Sequence, residues 1–281
     1  MTIVATTSPN TSANVSHPME PRVGIASDGA MTWPRRMFRL SSFEVHVRPY
    51  TRLSARLRTL EGKRRMSDSK AESVAEGRLR NGPSDPSEIR AMYDEWADGY
   101  EADLDAWEYR TPVDVAELLR TTQPDAANVL DVGCGTGRSG RALQAAGFTS
   151  VVGCDLSPQS LKHADATGAY TRTVEVNLQQ LPLPFNDNSF DALTCVGVMT
   201  YVPDTEAILR EFCRLVRTGG TIMFTHREDA WQERDCAGVT ERLTTDRLWQ
   251  TISVSEPLPY LPKNGEMGDI GVIVAAYCRV S

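Results

Sequence analysis

The stretch Val129-Leu130-Asp131-Val132-Gly133-Cys134-Gly135-Thr136-Gly137 decides the fold. A short apolar run carrying one acid passes directly into three glycines set two apart. Glycine enters the left-handed backbone region without steric cost and lets a ligand approach the main chain closely. The residues that follow, about 137–146, read as a helix stopped by Gly147. The first turn of such a helix presents unpaired N–H groups toward the turn. A buried strand, a glycine turn and a helix start together form the ligand-holding unit of open α/β sheets.

Working outward, the same alternation continues. Strand 150–155 leads into helix 158–167, stopped by Gly168. A short strand near 172–176 and a loop precede strand 190–197. A helix over 204–217 ends at Gly219-Gly220, and strand 221–226 follows. Upstream, Asp85-Pro86-Ser87-Glu88 is a helix start, with an N-cap acid, proline in the first turn and Glu at the third position. Thr111-Pro112-Val113-Asp114 and Ser157-Pro158-Gln159-Ser160 repeat that grammar, so helices are predicted over 86–104 and 112–122. The tail predicts a helix around 245–250, then strands near 251–256 and 270–279 with no helix between them. Strands alternating with helices imply a mainly parallel sheet covered on both faces. The prediction is an α/β, Rossmann-like three-layer sandwich. Its seven-stranded sheet is mostly parallel, with an antiparallel C-terminal edge strand.

The glycine turn alone does not choose its ligand. Gly135-x-Gly137-x-x-Gly140 even has the dinucleotide spacing. Asp131, two residues before the first glycine, argues against a pyrophosphate, which its charge would repel, and suits the cationic ammonium and sulfonium of S-adenosylmethionine (SAM). Asp155 ends the next strand, where a carboxylate can accept from both ribose hydroxyls. NAD sites use the same device. Asp155 therefore points to an adenosine ligand without separating the two.

These residues carry a resemblance. Asp131 to Gly137, then Gly153-Cys154-Asp155-Leu156-Ser157, resemble the class I SAM-dependent methyltransferases. So do Asn177 to Phe185, Asn188-Ser189-Phe190-Asp191, and Leu215-Val216-Arg217-Thr218-Gly219-Gly220. The resemblance spans about 93–280. Tyr93-Asp94-Glu95-Trp96-Ala97-Asp98-Gly99-Tyr100 and Tyr260-Leu261-Pro262 are similar to one subgroup, the methyltransferase-like proteins named for the Williams–Beuren syndrome region. The resemblance implies SAM as cofactor. Gly133, Gly135 and Gly137 would line its methionine part, with Asp131 near the amino group. Asp155 would bind the ribose and Leu156 would pack on adenine. Asn177, where the family often has Asp, and Leu178 would contact the adenine edge. Cys195, Val196 and the residues to Val198 would face the sulfonium. Tyr93, Trp96 and Tyr100 would close over the cofactor, although their spacing equally suits an ordinary packing stripe.

Methyl transfer needs a general base only when the nucleophile must lose a proton. Tyr201 and His226, at the carboxyl ends of the fourth and fifth strands, are the weak catalytic candidates; a non-catalytic role suits each of them better, and Tyr201 could instead line an acceptor pocket. Gly197-Val198-Met199-Thr200 replaces the Asn/Asp-Pro-Pro-Tyr/Phe signature of amino-methylating nucleic-acid enzymes.

Charge is unevenly spread. Residues 1–90 hold fifteen Lys and Arg against nine Asp and Glu, which leaves fifteen against twenty-eight in the remainder. An acidic body is a poor match to a polyanion, whose binding rests on phosphate neutralisation. Residues 1–84 read as a disordered basic leader, as a mitochondrial transit segment, or as an artefact if translation starts at Met66. Residues 85–281 read as the methyltransferase domain. The six cysteines stand singly, which argues against zinc and for small buried hydrophobes. No run approaches the ~20 apolar residues of a membrane helix. The expectation is a cytoplasmic, monomeric methyltransferase with a small-molecule acceptor, favoured over protein, and no nucleic-acid, membrane or metal partner. A catalytically silent SAM-binding partner or sensor remains open, and an NAD-dependent oxidoreductase is the more remote alternative.

Overall fold

In the computed structural model the described residues are 79–281. Most of the expected leader, residues 1–78, lies outside them. Packing nevertheless starts before the expected boundary at residue 85. Leu79 packs on the core, and the carbonyls of Leu79 and Arg80 accept from Arg227.

Helix α1 (Pro86–Ala106) and helix α2 (Thr111–Thr122) precede strand β1 (Val129–Val132). Then come α3 (Arg138–Ala145), β2 (Val151–Asp155), α4 (Pro158–Ala166), β3 (Arg172–Glu175) and β4 (Phe190–Cys195). A 3₁₀ turn over Met199–Tyr201 leads to α5 (Thr205–Leu215) and β5 (Val216–Arg227). The chain closes with α6 (Glu228–Glu233), α7 (Cys236–Thr245), β6 (Trp249–Val254), β7 (Leu258–Pro259) and β8 (Gly271–Arg279). Asp85 caps α1 by accepting from Ser87 N and Glu88 N, and Ser157 caps α4 through Ser160 N. Thr111 is not a cap. It is buried inside α2, and Arg110 takes the N-cap position without a side-chain bond.

The sheet runs β3-β2-β1-β4-β5-β8-β6, with β7 also on β8. Strands β1 to β5 are parallel, as the alternation predicts. β8 is antiparallel to both neighbours. It is inserted between β5 and β6, so β6 is the edge strand on that side, and two-residue β7 makes the eighth strand. The antiparallel return is the physical outcome of joining β6 to β8 without a crossover helix. The helix expected near 245–250 ends at Thr245, because Trp249 is already in β6, fully buried against Tyr277. Helix α6 carried no signal of its own. It is only six residues long.

The core lies on the two sheet faces. One cluster joins β1, β4 and β5 to α5 and α7 through Leu193, Ile208, Phe212, Phe224 and Leu243. The other joins them to α1 and α2 through Leu104, Trp107, Val115 and Leu119. Cys134, Cys154, Cys195, Cys213 and Cys236 are buried and free, as small apolar side chains are. No described helix is long and apolar enough to cross a membrane.

Candidate active site

The carboxyl ends of β1, β2 and β4 open into a pocket holding about 710 Å³ of empty space, its mouth included. This is the crevice where open α/β sheets bind ligands. Its floor is the glycine turn. Gly133 N and Cys134 N donate to Cys154 O at 2.7 and 3.0 Å, which lays the turn across the end of β2. Gly133 (φ 68°) has no room for a Cβ, which would overlap Val198. Gly135 (φ 51°) faces open space, so its main chain is the exposed one.

Asp155 accepts from Gly135 N and Ser157 N, both at 2.9 Å. Burial raises its pKa, and these amide bonds oppose the rise. Leu156, Asn177 and Leu178 complete that wall. Asn177 Oδ1 accepts from Gln179 N at 2.9 Å, a turn that fixes the amide. Gln179 Nε2 in turn donates to Ser84 O and Tyr201 O. Val196, Gly197, Val198 and Tyr201 form the far end, and α1 is the roof through Ile89, Arg90, Tyr93 and Tyr100.

The structure brings Gly133, Gly135, Asp155, Leu156, Asn177, Leu178, Val196, Tyr93, Tyr100 and Tyr201 to this pocket. Five sequence candidates stand elsewhere. Asp131 is fully buried beneath the turn, its two oxygens taken by Tyr170 O–H at 2.8 Å and Thr194 O–H at 2.9 Å. Gly137 (φ 97°) is the N-cap of α3 and lies against Ala164 of α4 and Thr167, that helix's C-cap. Cys195 is the last residue of β4 and points into the core. Trp96 lies on Trp107 and Tyr100 and donates to Asp103 at 2.6 Å. His226 lines a separate recess next to the pocket.

Arg90 was missed. It donates to Leu156 O at 3.1 Å and pairs with Glu175, fastening α1 over β2 and β3. It shares a helix face with Pro86, Tyr93 and Tyr100, so extending the aromatic stripe backward at the same period would have found it. Further along α1, Asp94 accepts from Ser157 Oγ at 2.6 Å, and Glu101 binds Thr136, Arg138 and Arg141. The roof is thus clamped to the helices that follow β1 and β2.

The site's chemistry fits an adenosine ligand bearing positive charge. A carboxylate faces the pocket, apolar side chains flank it, and the cation in the lining, Arg90, is already paired. Asp131, buried and bonded to Tyr170 and Thr194, does not face the ligand, so its charge does not select against a pyrophosphate as the sequence suggested. What disfavours one is that the lining offers no unpaired cation to neutralise it. Fold and pocket therefore define a Rossmann-like protein built around the SAM class of ligand.

Comparison with known proteins agrees. The methyltransferase domain family matches residues 130–224. Human methyltransferase-like protein 27 is 31% identical over 195 residues, covering 66% of this chain and 79% of that protein. A ubiquinone biosynthesis O-methyltransferase of Neisseria meningitidis is 33% identical over 101 residues, 34% of this chain and 42% of that protein. A TehB-like SAM-dependent methyltransferase from Corynebacterium glutamicum superposes with a TM-score of 0.51 at 23% identity, covering 67% of this chain and 98% of that one. This chain belongs to the class I SAM-dependent methyltransferases, and SAM is its cofactor.

Proposed function

We propose that this methyltransferase acts on a small molecule held under α1, beside the bound cofactor. The observation that carries the reading is the shape of the space beyond Asp155. The pocket ends at Gly197 and Val198, and the same two residues line a second, narrow recess, about 190 Å³ with its open mouth included and with room at its base for a group about the size of one water. Around them stand Tyr93, Tyr100, Tyr109, Tyr201 and Tyr260, with Tyr93 edge-on to Tyr201 and Tyr109 edge-on to Tyr260. Aromatic walls with a few polar tips suit a compact, largely apolar ligand. The O-methyltransferase named for ubiquinone biosynthesis among the relatives supports the same choice.

Asp155 holds the ribose, and Leu156 with Leu178 sandwiches the adenine, beside Asn177. Gly133 and Gly135 receive the methionine part. SAM supplies an already activated methyl group on a cationic sulfur. The chain's contribution is alignment and exclusion of water, in which orientation is the larger share. Asp131 acts from below, holding Tyr170 and through it the helix that follows the turn.

The test is transfer of label from isotopically marked SAM into a cell extract separated into small-molecule, protein and nucleic-acid fractions. Label in the small-molecule fraction supports the reading. Label in protein or nucleic acid alone would replace it. SAM binding without transfer to any fraction would favour a silent binding protein.

A further inference from the structure

His226 ends the run of core residues in β5, 1% exposed, edge-on to Trp231. Its Nδ1 lies 3.3 Å from Arg227 O. A carbonyl only accepts, so Nδ1 carries the proton and Nε2 keeps its lone pair. Burial, with the charge of Arg234 adding to it, pulls the ring's pKa down to about 4, so the ring is neutral in ordinary buffers. Nε2 is buried and has no hydrogen-bond partner. Buried acceptors are almost always paired, and an orphan needs a reason. Four such side-chain atoms occur among the described residues, and this one belongs to a residue lining the recess that adjoins the cofactor pocket.

The rest of the recess narrows what could pair with it. Gly197, Val198, Thr225, Arg227 and Tyr260 line it, and no carboxylate does. Arg227 is committed to Asp229 and to the carbonyls of Leu79 and Arg80. Thr225 Oγ1 accepts from Gly197 N at 2.9 Å, which fixes its place in the wall. A carboxylate ligand has no proton to give Nε2. An ammonium would sit near Arg227 and Arg234 with no carboxylate in the lining to receive it, Asp229 being held by Arg227. An uncharged hydroxyl satisfies Nε2 and brings no charge.

We propose that the recess seats the reacting group of the methyl acceptor, and that this group is an uncharged hydroxyl on a small apolar frame donating to Nε2 of His226. The proposal rests on the small-molecule reading above. The hydroxyl oxygen forms its bond to the methyl carbon with a lone pair, the carbon–sulfur bond breaks with its pair left on sulfur, and the hydroxyl proton passes to Nε2. One positive charge leaves sulfur and one arrives on the imidazole, which returns the proton to solvent after the product departs. A base this weak takes the proton only as the oxygen becomes positive, so His226 both orients the hydroxyl and receives its proton.

The test uses the full chain saturated with S-adenosylhomocysteine, with phenol as probe and anisole as its methylated, donor-free counterpart. Nitrogen NMR of the histidine rings, assigned with His226→Phe, should show Nδ1 protonated and move the Nε2 signal of His226 by several ppm with phenol but not with anisole. His226→Phe should bind S-adenosylhomocysteine within about threefold of the parent and phenol at least tenfold more weakly. His226→Gln, whose carbonyl can reach the place of Nε2, should recover phenol binding but not methyl transfer. The proposal fails if phenol leaves the His226 signals unmoved, if it binds His226→Phe as well as the parent, or if it does not bind while S-adenosylhomocysteine does. If His226→Phe does not fold, His226→Gln supplies the assignment and the parent's NMR response decides. Failure of the parent to bind S-adenosylhomocysteine would instead sink the methyltransferase reading beneath it.

Discussion

Two carboxylates set a short distance apart do different work. Asp155 faces the pocket and Asp131 does not. Charge-assisted hydrogen bonds contribute about 1.5–3 kcal/mol each, so Asp155→Ala should weaken SAM and S-adenosylhomocysteine alike by roughly 100-fold or more, read by calorimetry. Unchanged affinity would remove Asp155 from the cofactor seat. Asp131 is a matter of stability. Burial pushes its pKa up to about 6 against the bonds from Tyr170 and Thr194. The unfolded value is about 3.9, so between pH 4 and 6 the native state holds more protons than the unfolded chain. Asp131's contribution to stability therefore falls as pH rises through that window, and the ionised carboxylate costs roughly 2–3 kcal/mol above it. Asp131→Asn keeps the shape and can serve both hydroxyls. Because the neutral His226 makes its own, opposite contribution in both proteins, the difference is what reads Asp131: relative to the parent, the variant should gain roughly 2–3 kcal/mol in denaturant unfolding between pH 4.5 and 7.5, and equal or exceed the parent at 7.5. A steep loss at pH 7.5 would mean that the charge itself is needed. Sequence alone located both acids but not this difference. The partner that sequesters Asp131, Tyr170, lies 39 residues away, and pairing at that range is a product of packing rather than of local pattern.

At the scale of elements, legibility followed locality. The strand–turn–helix at Val129–Ala145 and the helix starts at Asp85 and Ser157 were readable because their determinants lie within a few residues: glycines with positive φ, and caps that accept from the next turn. The inserted position of β8, the short helix α6 and the placement of α7 were not, because they depend on what the tail packs against. The glycine spacing shows both sides. Gly135 is open to ligand, whereas Gly140, the last of the apparent dinucleotide set, is small for another reason. Its N–H donates to Tyr170 Oη at 2.9 Å, and an added Cβ would overlap the Tyr170 ring. Gly140→Ala should therefore displace Tyr170 and strip Asp131 of a partner. Overpacking and an unpaired buried acceptor each cost about 1–3 kcal/mol. The variant should lose roughly 2–4 kcal/mol in denaturant unfolding while its folded fraction binds SAM within a few-fold of the parent. Near-normal stability with lost SAM binding would reverse that assignment and make Gly140 a ligand contact.

For the whole molecule, the question is where the working unit begins. Sequence placed the boundary at 84/85, on the strength of the Asp85 cap. The structure puts work on the six residues before it. Leu79 packs with the cluster under α1, Arg80 donates to Glu266 O at 3.0 Å, and the carbonyls of Leu79, Arg80 and Ser84 accept from Arg227 and Gln179. None of these hydrogen bonds has a local signature, since their partners lie more than ninety residues away. A chain shortened to begin at Asp85 keeps every residue that lines the cofactor pocket, from Pro86 onward. It loses one half-buried leucine and several hydrogen bonds, each worth about 0.5–1.5 kcal/mol. Relative to a chain beginning at Met66, it should unfold at lower denaturant by the equivalent of roughly 2–4 kcal/mol, the sum of partial Leu burial and these bonds. Its S-adenosylhomocysteine affinity should stay within about threefold. It should bind phenol more weakly, because Arg227, freed from the two carbonyls and held by Asp229 alone, would no longer be fixed at the wall of the recess. Loss of S-adenosylhomocysteine binding together with stability would show instead that residues 79–84 belong to the cofactor seat, and identical stability would return the boundary to Asp85.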